Sequence, residues 1–265
     1  MPPFSRRAFC HAAIGTGVLL AACRTSGSQP AAAAGAAADP SRLRARPTRP
    51  TSRLTAGRHP LGLGTDRDGF VYVPPSYDEG HPAPLLILLH GAGQSAALWT
   101  RWKLDELFGG RGVVVLAPDS RESTWDVRLG GFGPDVAFID RAMAYVFARC
   151  AIDPARMALA GFSDGASYAL SLGVTNGDVF EALLAFSPGY FAATKRRGAP
   201  RIFESHGTRD QVLPIDDTSR RLVPALRARG LQITYVEFDG PHTLTPDIAR
   251  QAADWLLGSA PSPRR

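Results

Sequence analysis

A serine set between two glycines, where an apolar run hands over to a helix-forming run, constrains this chain more than any other stretch. Leu159-Ala160-Gly161-Phe162-Ser163-Asp164-Gly165-Ala166 reads G-x-S-x-G. Residues 157–160 have the pattern of a short buried strand, and 166–172 are good helix-forming sequence. A serine hydroxyl is a weak nucleophile, so its chemistry needs exposure, a neighbouring base and backbone N–H donors. A sharp strand-to-helix turn supplies these and holds the serine in strained backbone geometry. Gly161 and Gly165 remove the side chains that would clash with such a turn. The same five residues also fit an ordinary turn with Ser163 as a helix cap. What surrounds them decides between the two.

Upstream, Leu85-Leu86-Ile87-Leu88-Leu89-His90-Gly91-Ala92-Gly93 is an apolar strand running into a His-Gly-x-Gly loop. Downstream, Arg201-Ile202-Phe203-Glu204-Ser205-His206-Gly207-Thr208-Arg209-Asp210 is a strand running into an acidic loop. A further strand over 233–238 leads into Asp239-Gly240-Pro241-His242. The order is oxyanion loop, serine, acid, histidine, which is the chain order of one known arrangement of the catalytic triad. On this ordering Ser163 attacks a carbonyl carbon, His242 takes its proton and returns it to the leaving group, and Asp210 orients His242. The backbone N–H groups of Ala92 and Asp164 are expected to bind the oxyanion, with Gly91 and Gly93 letting the loop approach. Asp216 and Asp217 sit at an expected helix start, where a carboxylate is explained as a cap. Asp239 is too near His242 in sequence to reach its ring easily.

With these motifs the chain resembles the α/β-hydrolase superfamily, in its phospholipase/carboxylesterase and polyhydroxybutyrate-depolymerase-like esterase branches, over residues 57–258. His206-Gly207-Thr208-Arg209-Asp210 followed by Val212-Leu213-Pro214 is similar to those families' acid loop. Phe186-Ser187-Pro188-Gly189-Tyr190 is similar to their segment after the sixth strand. The carboxylesterase branch often carries Gln after the serine, where this chain has Asp164. The resemblance implies a serine esterase acting on carboxylic esters without a cofactor.

The N-terminus carries Ser5-Arg6-Arg7-Ala8-Phe9 and then an apolar run over 12–22. That run is about half of the ~20 residues a membrane-spanning helix needs. It fits an export signal over 1–22, and the arginine pair resembles a twin-arginine signal. The run ends Leu20-Ala21-Ala22-Cys23, which resembles a bacterial lipobox. Cys23 is therefore expected to carry acyl chains that hold an exported protein to a membrane surface of the cell envelope. Residues 23–56 are rich in Ala, Pro, Ser and Arg without an apolar period, and read as a flexible tether. Residues 259–265 read as a disordered tail.

Charge follows this division. The whole chain is +6. Residues 1–58 hold nine arginines and a single acid, Asp39, for a net +8, which leaves −2 for the rest. The basicity belongs to the leader and tether, where it favours anionic lipid, and nothing resembles a base-contacting motif, so no nucleic-acid partner is expected. Of the three cysteines, Cys10 goes with the leader, Cys23 is the lipid site, and Cys150 reads as a small core residue. No Cys/His cluster has metal-ligand spacing, so no metal is expected.

Between 57 and 258, strands are expected over 57–63, 69–73, 85–89, 113–117, 157–161, 182–186, 201–206 and 232–238. Helices are expected near 95–109, 134–150, 165–175, 216–229 and 245–257. Near-continuous apolar strands alternating with helices predict a mostly parallel sheet covered on both faces, with the site at the carboxyl ends of the strands. The sixth and seventh strands are separated only by 187–200, too few residues for a cap domain with its own core. The site is therefore expected to be open. Trp125, Tyr190 and Phe191 follow strands that border it and are candidates for lining the pocket, or for packing on their own loops. His90 and His206 read as structural, His59 and His81 as solvated, Trp99 and Trp102 as packing residues, and Lys195-Arg196-Arg197 as a solvated loop. Beside the esterase stand two alternatives: a serine peptidase, and a non-catalytic surface-binding lipoprotein on the same fold.

Overall fold

In a computed structural model of the chain, residues 39–258 other than Thr65 are described. Eight strands form one sheet: β1 (Gly57–Pro60), β2 (Gly69–Val73), β3 (Ala83–Leu89), β4 (Val114–Pro118), β5 (Ile152–Phe162), β6 (Ala182–Phe186), β7 (Arg201–Gly207) and β8 (Ile233–Phe238). Their spatial order is β1-β2-β4-β3-β5-β6-β7-β8. β1 and β2 pair antiparallel, as does β2 with β4, and from β4 to β8 every pairing is parallel. This is the α/β-hydrolase fold.

The helices are α1 (Ala97–Arg101), α2 (Leu104–Gly109), α3 (Pro134–Phe147), α4 (Asp164–Thr175), α5 (Ser219–Ala228) and α6 (Pro246–Gly258). They cover the sheet on two sides, which explains why the central strands are apolar without alternation. On β3 successive side chains go to opposite layers. Leu85, Ile87 and Leu89 join the core beneath α3 and α4, whereas Leu86 and Leu88 join the one beneath α1, α2 and α6. α4 lies hard against β6: a Cβ on Gly173 would sit 2.2 Å from the Leu183 side chain.

Several expectations need correction. The single helix over 95–109 is broken, because Lys103 has φ 53° and turns the chain between α1 and α2. β5 starts five residues earlier than expected, with its Asp153–Arg156 stretch half-exposed beyond the buried part. Residues 39–56, expected as part of a tether over 23–56, belong instead to the compact unit that begins at Asp39. Leu43 is fully buried in the core. Its N–H donates to Asn176 Oδ1 at 3.0 Å, Arg42 pairs with Asp178, and the N–H groups of Arg44 and Ala45 donate to Asp140 at 2.6 and 2.8 Å. Lys195 and Arg197 are not merely solvated either. Both pair with Asp39, at 2.9 and 3.4 Å, and so fasten the start of this segment.

The 187–200 segment is a loop without a helix, so among the described residues no cap covers the carboxyl ends of the strands.

Candidate active site

The turn between β5 and α4 holds Ser163 at φ 57°, ψ −119°, outside the regions broadly allowed to an L-residue. Backbone packing accounts for both glycines. A Cβ on Gly161 would lie 2.2 Å from the Gly165 carbonyl oxygen, and a Cβ on Gly165 would lie 2.1 Å from that of Leu89. No side chain fits at either position. The strain is held by neighbouring strands, with the Ser163 N–H donating to the Phe186 carbonyl at 2.8 Å.

A cavity of about 540 Å³ opens at this turn. Ser163, Asp164, Ala92, Tyr190 and His242 all line it, as do Phe162, Val127 and Leu213. The volume lies in the range of small-molecule sites. A larger surface groove of about 780 Å³ runs between residues 49–56 and 73–80, away from Ser163, and no histidine lines it.

Asp210 sits behind His242 rather than in the cavity. Its Oδ2 accepts from His242 Nδ1 at 2.5 Å, and its Oδ1 accepts the N–H groups of Val212 and Leu213 at 2.9 and 2.8 Å. Burial opposes ionisation of this carboxyl. The Leu213 N–H, the bond to His242 with its charge, and the Val212 N–H outweigh burial and hold Asp210 below the ordinary carboxylate range. His242 Nε2 is buried and has no hydrogen-bond partner among the described residues. Its ring packs on Phe162 at 4.8 Å between centroids. The bond from Ser163 to Nε2 is not closed, a contact that sites of this kind commonly tighten only around substrate. Asp239 pairs instead with Arg209 at 3.0 Å on the surface, and Asp216 with Arg220 at 2.9 Å.

Ala92 and Asp164 line the cavity wall together with Ser163. Asp164 is the first residue of α4, so its N–H is among those a helix leaves without an intrahelical acceptor. A Cβ on Gly91 would meet the Ser163 Cβ at 3.4 Å, which is how closely the two loops approach.

The side chain of Asp164 does something the sequence does not announce. Its carboxylate is buried and accepts from the Thr124 hydroxyl, from the Trp125 N–H at 3.3 Å and from the Tyr190 hydroxyl at 3.0 Å. Arg128 stands 3.9 Å away at the cavity rim. One carboxylate thus ties the loop after β4 and the loop after β6 to the turn that carries Ser163. Burial, then the Asp164 charge, push the Tyr190 phenol up, so it remains a donor.

Two pocket candidates are misplaced. Trp125 is fully buried below the cavity, stacked on Tyr168 with centroids 5.0 Å apart, and its indole N–H donates to the His90 carbonyl at 2.8 Å. Phe191 packs against the core with Arg229 over its ring at 5.6 Å, and Ala192 faces the cavity in its place. From the loop after β4, it is Val127 and Arg128 that reach the cavity. His90 is structural as expected: Nε2 accepts the Ser120 N–H at 3.0 Å, and Nδ1 faces the Gly91 carbonyl at 2.8 Å. Cys23 lies outside the described residues.

The sequence model of the Esterase family matches residues 62–195, half of the chain, including Ala92, Ser163 and Asp164. The chain belongs to that family. It is 28% identical over 160 residues to feruloyl esterase C of Emericella nidulans, covering 57% of each chain. It is 30% identical over 159 residues to a bifunctional acetylxylan esterase/xylanase of Neocallimastix patriciarum, covering 57% of this chain and 22% of that one. The chain therefore spans little more than half the length of the feruloyl esterase and less of the bifunctional enzyme. Among solved structures, esterase PE8 superimposes with a TM-score of 0.58 at 22% identity, over 72% of this chain and 98% of that one. At that identity the likeness speaks for the fold alone.

Proposed function

We propose that this member of the Esterase family is a serine esterase that hydrolyses carboxylic esters through Ser163, His242 and Asp210. The observation that carries this reading is the placement of His242, with Nδ1 on a buried carboxylate at 2.5 Å and Nε2 left without a partner beside the cavity that Ser163 lines. His242 takes the Ser163 proton as Oγ attacks the ester carbonyl. Ala92 and Asp164 donate their N–H groups to the oxyanion. His242 then protonates the departing alcohol, and a water molecule activated by the same ring releases the acid. Asp210, held ionised, fixes the ring and stabilises the imidazolium.

The relatives named for feruloyl and acetylxylan esters direct attention to feruloyl esters and acetylated xylan. Val127, Phe162, Leu213 and the Tyr190 ring offer an apolar lining for an acyl or alcohol group. The open cavity favours soluble, short esters over long lipid chains. The Leu20-Ala21-Ala22-Cys23 ending supports export and anchoring through acyl chains on Cys23. The test compares three carboxylates. Asp210→Asn should lower kcat on a p-nitrophenyl ester by about 10⁴-fold, with Asp217→Asn and Asp239→Asn within about threefold of the parent. If Asp239→Asn is the more damaging change, the assignment of the acid is wrong.

A further inference from the structure

Around Asp210, sharing its Oδ2 with His242, begins a run of buried polar groups that the proposed reaction does not use. His206 on β7 places Nε2 3.1 Å from Asp210 Oδ2 and 2.9 Å from the Leu213 carbonyl. Both of these only accept, so Nε2 carries a proton. Burial holds the ring below the ordinary histidine range, against the pull of the Leu213 carbonyl and Asp210, so it is neutral and Nδ1 is bare. The Ser219 hydroxyl, 2.7 Å from Nδ1, must therefore donate to it.

Two residues before His206, on the same face of β7, is Glu204. It is fully buried, and neither carboxyl oxygen has a hydrogen-bond partner among the described residues. The Ser219 hydroxyl and the Arg227 charge act on it from α5 and favour its ionised form, but burial outweighs both and pushes the carboxyl up to about 7. In register on β8 stand Tyr235 beside Glu204 and Glu237 beside His206, with Glu237 paired to Arg220 of α5. On the other side β6 presents Ala185.

We propose that His206 is a positioning residue for Asp210, and that Ser219 and Glu204 complete a chain behind it through which a proton on Glu204 is felt at His242. The proposal rests on the triad reading above. With Glu204 protonated, small rotations align every donor toward Asp210: Glu204 O–H to Ser219 Oγ, Ser219 O–H to His206 Nδ1, His206 Nε2–H to Asp210. When Glu204 yields its proton to solvent, its carboxylate accepts the Ser219 hydroxyl. His206 then loses the donor at Nδ1, its Nε2–H becomes a weaker donor, and Asp210 bears more strongly on His242. His242 becomes more basic. Loss of either proton hinders loss of the other, so the acid limb of the rate profile is broader than a one-proton curve.

The experiment measures kcat, KM and the pH dependence of kcat/KM on a soluble p-nitrophenyl ester, using the full chain. His206→Leu, which has no donor, should lower kcat by about tenfold or more with KM little changed, as when outer hydrogen-bond partners are removed elsewhere. His206→Gln, whose amide N–H reaches Asp210, should recover most of that loss. Glu204→Gln should narrow the acid limb to one proton and move it to lower pH, and Ser219→Ala should uncouple it likewise. Leu and Gln variants of His206 that behave alike, or a Glu204→Gln profile superimposable on the parent, would overturn the proposal. If His206→Leu fails to fold, the Glu204 and Ser219 profiles decide. Ser163→Ala in the same series separates the two levels. Turnover in that variant would remove the triad reading itself, whereas its silence alongside unmoved profiles would remove only the chain behind Asp210.

Discussion

Asp164 in the cavity wall and Glu204 within β7 are both buried carboxylates, 4% and 0% exposed, and they are solved in opposite ways. Asp164 accepts from Thr124, Trp125 and Tyr190 and has Arg128 nearby. Glu204 has no hydrogen bond on either oxygen among the described residues. A buried charge surrounded by donors acts as a rigid joint, because removing it strands all of them. A buried carboxyl without donors is held neutral more easily than charged, so it responds to pH where its counterpart acts as architecture. The pocket side of the site is therefore built to hold shape, whereas beyond the ionised Asp210 burial shifts Glu204 toward its protonated form.

The comparison breaks most visibly at Asp164. Asp164→Ala leaves the Tyr190 hydroxyl, the Trp125 N–H and the Thr124 hydroxyl without their acceptor. It should destabilise the fold by about 3 kcal/mol in urea unfolding and lower kcat/KM by more than about tenfold. A loss below about 1 kcal/mol would mean that the two loops hold themselves.

Glu204→Gln tests the other side through pH. The carboxyl rises from 4.5 unfolded to about 7 folded. A raised folded value stabilises fully below the unfolded pKa, and that stability is lost as pH rises through the folded one. Between pH 4 and pH 8 the parent should therefore lose on the order of 3 kcal/mol relative to Glu204→Gln. Unfolding curves for the pair across that range read the difference, and parallel curves would contradict it.

The smallest effect is expected from Tyr190→Phe, which removes one donor of Asp164 and keeps the ring in the cavity wall. Stability should fall by about 1 kcal/mol, and KM should rise by about threefold with kcat unchanged.

Most of the sheet was legible in the chain because both of its faces are buried, so each central strand stands out as an apolar run. Ser163, Asp210 and His242, which the structure brings together, could be picked out because each follows such a run within a short local motif. Trp125 and Phe191 were assigned to the right loops, but whether a loop side chain points into a cavity or into the core depends on packing partners elsewhere in the chain. Asp164 showed only its backbone role, since its side-chain donors lie 26 to 40 residues away. Residues 39–56 looked like linker because the segment is polar and aperiodic. It is fastened by Leu43 and by hydrogen bonds to Asn176, Asp140 and Asp178, which no periodicity signals. Glu204 was hidden inside an otherwise ordinary strand.

The central claim is that Ser163 is the nucleophile that His242 and Asp210 activate. Treating the protein with a fluorophosphonate and mapping the adduct by peptide mass spectrometry addresses it most directly. A single adduct on Ser163, abolished in Ser163→Ala and slowed strongly in His242→Ala and Asp210→Asn, is the predicted result. An adduct on another residue, or ester turnover in Ser163→Ala within about tenfold of the parent, would contradict it.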